Sequence, residues 1–160
     1  MNLTLKFKNI NSVQGVPELN IAINNQVVWQ GPVQPKINIE HSVQEDVLLS
    51  VSHVNKDPQH HCVVKDGQIV ADRNCELDEV IVDGYNIEEL KWMSSYLTAD
   101  NELLDKCLFF GKNGTWSMRF ELPILRWILK TRHQQLNNDP TWEQDYESYQ
   151  TACKLLNNLN

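Results

Sequence analysis

Turn dipeptides that favour left-handed backbone recur between stretches of alternating apolar and polar residues, and this punctuation constrains the chain more than any other feature. Asn24-Asn25 separates residues 19–23 from 26–29, Asp66-Gly67 separates 63–65 from 68–70, and Asn113-Gly114 separates 107–110 from 116–120. A type I′ turn needs positive φ at both central residues, and its twist matches that of the two strands it joins. Each pair therefore predicts a β-hairpin.

The stretches between these turns carry the period of two that a half-buried strand requires. Leu3, Leu5 and Phe7 alternate with Thr4, Lys6 and Lys8; Val47, Leu49 and Val51 alternate with Ser50 and Ser52. Pro32 and Pro35 bracket a loop, because neither can donate to a sheet ladder, and Ile37, Ile39 and His41 then resume the alternation. Residues 77–83 form a further strand ending at Gly84, and residues 90–93 are expected to continue the sheet after a short link. On the last strand Trp116, Met118 and Phe120 should face the core, with Ser117, Arg119 and Glu121 in solvent. Many short strands without a helical period between them predict a mainly β fold, an antiparallel β-sandwich or jelly roll, over residues 1–121.

The composition changes at residue 122, and residues 122–160 read as a C-terminal helical extension. Pro123 suits a first helical turn, and Ile124, Leu125, Trp127, Ile128 and Leu129 form an apolar cluster beside Arg126, Lys130 and Arg132. Further on, Asp139 and Pro140 read as N-cap and first helical residue. Trp142, Tyr146, Tyr149, Cys153 and Leu156 then follow at helical spacings of four, three, four and three. A helix this short is marginal alone in water, so its aromatic stripe has to be buried. Either it packs on its own sandwich, or Trp127, Trp142, Tyr146 and Tyr149 dock on a neighbouring subunit.

The chemistry narrows the function classes. A net charge of −7 repels a phosphate backbone, so nucleic acid is not an expected partner. The longest apolar runs fall far short of a bilayer span, which takes about 20 residues, and the amino terminus lacks a signal-peptide core. No membrane partner is expected and the origin is read as cytosolic. Cys62, Cys75, Cys107 and Cys153 are widely spaced, which predicts free buried thiols. His60-His61-Cys62, with His53 and Cys75 elsewhere, is the one cluster suggestive of metal, but adjacent histidines on extended chain point to opposite faces. Asp66, Asp72, Asp78 and Asp83 lack the dense pattern of a calcium loop and read as turn and strand positions. No cofactor is expected. Neither a nucleophile elbow nor a Gly-rich phosphate loop occurs, which argues against an enzyme and leaves a small hydrolase as a distant alternative. Trp29, Tyr85, Trp92 and Tyr96 fall near expected strand ends. Flat rings there would either stack on sugars or close the sandwich edge.

Four blocks carry a resemblance: Ser50-Val-Ser-His-Val-Asn-Lys-Asp57, Val64-Lys-Asp-Gly-Gln-Ile-Val-Ala-Asp72, Leu77-Asp-Glu-Val-Ile-Val-Asp-Gly84 and Phe109-Phe-Gly-Lys-Asn-Gly-Thr-Trp116. Over roughly residues 45–130 they resemble small β-sandwich structural proteins of tailed bacteriophages, particularly the contractile-tailed phages of marine bacteria and cyanobacteria. That resemblance implies a non-enzymatic virion component, such as a capsid decoration, neck or tail-fibre protein, assembled in the host cytoplasm. It also implies contacts with other virion proteins, as a homo-oligomer or within a larger assembly. The block 77–84 is in addition similar to a strand of calcium-dependent jelly-roll carbohydrate-binding modules; the calcium ligands of that family are not assigned to residues here, and calcium dependence stays open. This second likeness implies surface glycans as partners.

Overall fold

The structure is a computed structural model describing residues 1–43, 45–136 and 142–157. One sheet contains β1 (Asn2–Asn11), β4 (Lys36–Glu40), β8 (Asn74–Val82), β9 (Tyr85–Asn86) and β12 (Phe109–Phe110), in the order β12-β8-β1-β4 with β9 also on β8. The other contains β2 (Glu18–Ile23), β3 (Gln26–Pro32), β5 (Asp46–His53), β10 (Ser95–Thr98), β11 (Leu103–Asp105) and β13 (Gly114–Glu121), in the order β11-β10-β13-β5-β2-β3. A ribbon of β6 (Cys62–Lys65) and β7 (Gln68–Asp72) belongs to neither. Every pairing among the described strands is antiparallel.

Alternation explains the layering. Leu3, Leu5 and Phe7 of β1 and Leu77, Val80 and Val82 of β8 form one inner face; Leu19, Ile21, Ile23, Val47, Leu49, Val51, Trp116, Met118 and Phe120 form the other. The two faces close into one buried cluster, to which each large side chain contributes about 1.5–3 kcal/mol. Phe110 joins the layers, meeting Phe7 edge-on at 6.2 Å and Tyr96 of the opposite sheet at 5.3 Å between ring centroids.

Three turns have the left-handed backbone that the hairpins need: Asn24 and Asn25 at φ 50° and 67°, Asp66 and Gly67 at 51° and 77°, and Asp83 and Gly84 at 49° and 86°. The expected Asn113-Gly114 hairpin is not formed. β12 pairs with β8 and β13 pairs with β5 and β10, so this dipeptide carries the chain from one sheet to the other. Asn113 instead brackets Lys56, its Oδ1 accepting from the Lys56 N–H and its Nδ2 donating to the Lys56 carbonyl, both at 2.8 Å. Gly114 is needed for close approach, since a Cβ there would lie 2.6 Å from the Leu97 carbonyl oxygen.

The expected strand at 90–93 is a 3₁₀ helix, Glu88–Met93. Ile87 and Leu90 are buried three residues apart, a spacing that a strand would place on opposite faces. Lys91 then donates through Nζ to the Asp78 carbonyl, and the Ser94 hydroxyl donates to the Lys91 carbonyl at 2.6 Å. β10 and β11 follow, a short hairpin whose alternation is too brief to show in the sequence. Beyond Glu121, α1 (Ile124–Leu136) buries Ile124, Trp127, Ile128 and Thr131, and the Pro123 carbonyl accepts from the Arg126 N–H at 3.0 Å. α2 (Trp142–Asn157) packs along α1, with His133 and Asp145 3.5 Å apart. The proposed cap Asp139-Pro140 lies outside the described residues. Among those that are described, no helix is long and apolar enough to cross a membrane.

His53, the last residue of β5, is 1% exposed, and among the described residues neither ring nitrogen has a hydrogen-bond partner. Burial, reinforced by the Lys56 charge, pulls its pKa below the ordinary 6.5, outweighing the nearby Lys112 and Phe110 backbone and the Asn55 side chain. The unfolded chain therefore takes up this proton at higher pH than the fold does. The stability is complete above 6.5 and falls as pH drops towards the folded-state value. Urea denaturation between about pH 7 and pH 5 should show a loss approaching at most about 1.4 kcal/mol per pH unit, and His53→Leu should flatten it. Asp57 and Asp78, held below 3.8, do not contribute in that window. Separately, Gly114→Ala should destabilise by about 1–3 kcal/mol through its clash with the Leu97 backbone, read as a lowered urea midpoint.

Candidate functional site

The eight aromatic residues singled out from the sequence separate into different environments. Tyr96 is not a surface platform: it is buried in the core, its hydroxyl donates to the Lys112 carbonyl at 2.6 Å, and burial pushes its phenol far above the usual range. Trp127 is likewise not free to dock, because it packs on Phe120 at 6.0 Å between ring centroids. Trp29 sits directly opposite Ile21 on edge strand β3, so its half-buried indole closes the sandwich margin. Trp92 stands exposed on the 3₁₀ helix. The side chain of Trp142 lies outside the described residues. The remaining three, Tyr85, Tyr146 and Tyr149, come together although they lie up to 64 positions apart.

They line an open cleft of about 330 Å³ between the β8–β9 turn and the C-terminal helices. The left-handed turn at Asp83-Gly84 presents Tyr85, and Asp83 is itself fixed because its Oδ1 accepts from the Asn2 N–H at 2.7 Å. On α2 the helical spacing stacks Tyr146, Tyr149, Gln150 and Cys153 along one face, and the start of α1 supplies Pro123, Ile124 and Leu125 as an apolar floor. The Tyr85 and Tyr149 hydroxyls share a hydrogen bond, and Gln150 Nε2 donates to the Tyr146 hydroxyl at 2.9 Å. Hydrogen bonding to Tyr85, and secondarily to Cys153, raises the Tyr149 pKa, so that ring stays neutral in ordinary buffers. Lys154 and Asp83 add one charge of each sign at the margin. Flat rings, hydroxyls, an amide and one charge of each sign offer stacking surface together with hydrogen-bond donors and acceptors.

The helical stripe at 146 and 149 was legible in the sequence; its meeting with Tyr85 was not, because that depends on where the helices dock. Gln150 had a signal, its position four residues after Tyr146.

The cysteines are all free, and burial pushes the Cys75 thiol up to about 12, so it is no thiolate. Among the described residues no group of three or more His, Cys, Asp or Glu is placed to hold a metal ion. His60 Nδ1 lies 2.6 Å from Asp57 Oδ2, and His61 Nδ1 accepts from the Asp57 N–H at 2.9 Å, so the two histidines close their own loop. That contact, chiefly the His60 hydrogen bond, holds the Asp57 carboxyl below its ordinary value. Asp72 pairs with Lys56, Asp78 with Lys8 at 2.9 Å, and Asp66 occupies a turn.

No protein-family model matches the chain, and no curated protein matches it by sequence. Two solved structures are similar. One is vCBM60 in complex with galactobiose, at 14% identity and a TM-score of 0.50, covering 73% of this chain and 96% of that one. The other is a selenomethionine form of vCBM60, reported with two families of calcium-dependent carbohydrate-binding modules, at 14% identity and a TM-score of 0.49, covering 72% and 87%. At this identity the likeness is one of fold: the chain shares the β-sandwich of the galactobiose-bound vCBM60 structure.

Proposed function

We propose that this protein is a non-catalytic carbohydrate-binding module whose tyrosine cleft seats a short neutral glycan. The observation that carries the reading is the convergence of Tyr85, Tyr146 and Tyr149 with Gln150 and Asp83 around one open cavity. Sugar rings present apolar C–H faces to aromatic planes and hydroxyls to amides and phenols, and the cleft supplies both. At about 330 Å³ it lies at the small end of the ligand-pocket range, about 300–1,000 Å³, which suits one or two sugar units. The shared fold with a protein solved in complex with galactobiose supports the class and makes galactobiose the first probe.

Calorimetric titration with galactobiose and a panel of neutral disaccharides, with calcium and with chelator, should give saturable binding. Tyr85→Ala and Tyr149→Ala should each weaken it at least tenfold, about 1.4 kcal/mol, while Trp29→Ala leaves it unchanged. Absence of binding across the panel, or binding indifferent to both tyrosine changes, would remove the proposal.

A second reading, assembly as a component of a tailed-phage virion, rests on a different feature. The β6–β7 ribbon carries Val64, Ile69 and Val70 at 57%, 66% and 55% exposure, an apolar surface that neighbouring subunits would cover. On this reading the wild type should self-associate or join particles in sedimentation, and Ile69→Lys should abolish it. A strictly monomeric wild type that no particle incorporates would sink the idea.

A further inference from the structure

A second cavity, of about 370 Å³, opens at the other end of β8, where the β6–β7 ribbon meets the loops that follow β5, β10 and β12. Its chemistry differs from that of the tyrosine cleft. Lys56 lines it with a side chain only 5% exposed, ion-paired to Asp72 and donating also to the Gly111 carbonyl. Withdrawing an ammonium from water costs several kcal/mol, and a well-packed apolar pair would hold the ribbon as firmly. The ammonium has three donors, of which Asp72 and Gly111 take two; among the described residues the third has no acceptor.

The rest of the wall has the same unfinished character. Asp100, in the β10–β11 turn, makes no hydrogen bond among the described residues, and Lys112 on the facing loop pairs with Glu102 at the rim, 2.9 Å away. Pro58 and Ile69 supply apolar surface between these polar groups. The Asn113 amide fixes the Lys56 backbone through its N–H and carbonyl, and Asp72 and Gly111 hold the ammonium. The buried His53 lies near both Lys56 and the Lys112 backbone and stays neutral, adding no further charge. Two cations, Lys56 and Lys112, thus meet three carboxylates, Asp72, Asp100 and the rim Glu102, so the groove carries no excess of positive charge.

We propose that this groove is a second ligand site, independent of the tyrosine cleft, that binds an uncharged polyhydroxylated ligand such as a sugar ring. A hydroxyl accepts from the free Lys56 proton while another donates to Asp100, and the apolar face of the ring lies on Pro58 and Ile69. An anion would lose to the three carboxylates at least what it gains from the two lysines, so the groove favours an uncharged group that both donates and accepts.

The test is a backbone-amide chemical-shift titration of the full chain with galactobiose, cellobiose and xylobiose, and with galacturonate and inorganic phosphate as charged controls. In wild type and in the Tyr85→Ala/Tyr149→Ala variant alike, the neutral sugars should shift the amides of Ala99, Asp100, Gly111 and Lys112 saturably. Asp100→Ala combined with Lys112→Ala should weaken those shifts at least tenfold while leaving the Asp83–Tyr85 shifts unchanged, with a melting curve confirming that the variant is folded. Groove amides that no neutral sugar moves, or that only galacturonate or phosphate moves, overturn the proposal. Loss of the Asp83–Tyr85 response alone would instead remove the tyrosine-cleft reading and leave this one standing.

Discussion

Everything in this molecule depends on the apolar contact between two antiparallel sheets, because that contact fixes which residues are left at the ends. The inner faces are supplied by strands remote in sequence: β1 pairs with β8, β5 with β13, and Phe110 crosses from one layer to touch Tyr96 of the other. A slip of one residue in any of these strands would turn Leu, Ile and Val outward and Thr, Ser and Lys inward, so the register is held by the whole core. Once it is set, the turns and links have to emerge at the two ends of the sandwich, and both cavities lie there.

The strands were legible because their period of two is a local property. β1, β2, β5 and β13 could be read directly from residues such as Leu3, Leu5 and Phe7, and two of the positive-φ turns, at 24–25 and 66–67, announced themselves through Asn-Asn and Asp-Gly chemistry. The failures share one physical cause, which is that a local signal has more than one use. Asn113-Gly114 looks like a hairpin corner, yet Asn113 serves as a clamp on Lys56 and Gly114 as a point of close contact under Tyr96 and Leu97. Leu90 and Trp92 alternate as a strand would, yet Ile87 and Leu90 obey the three-residue period of a tighter helix. Each ambiguity is decided by tertiary packing.

Aromatic residues show the same limit at the level of the site. Sequence gives ring type and approximate place, but exposure decides the role, and Tyr96, Trp127 and Trp29 are each held by the core or its margin. Tyr85 belongs to the strand body and Tyr149 to the last helix; no periodicity links them. Their association depends on α1 capping the end of the sandwich through Ile124, Trp127 and Ile128, which delivers α2 to the β8–β9 turn. Without that anchoring face there would be a sandwich but no tyrosine cleft.

The two cavities are tied to opposite ends of one strand. Asp72, which immediately precedes Arg73 and β8, borders the Lys56 groove, and Asp83, which immediately follows β8, borders the tyrosine cleft. β8 has nine residues, so at about 3.3 Å per residue the sites stand about 30 Å apart. A disaccharide is far too short to bridge that span, so a ligand of that size gains no avidity from the second site. If both cavities hold glycans as proposed, two sites at opposite ends of a rigid strand suit a module that joins separate glycan chains, or holds one long chain that wraps its flank, because the strand fixes their separation. Binding at the two ends would then add through effective concentration, without any conformational change in the sandwich.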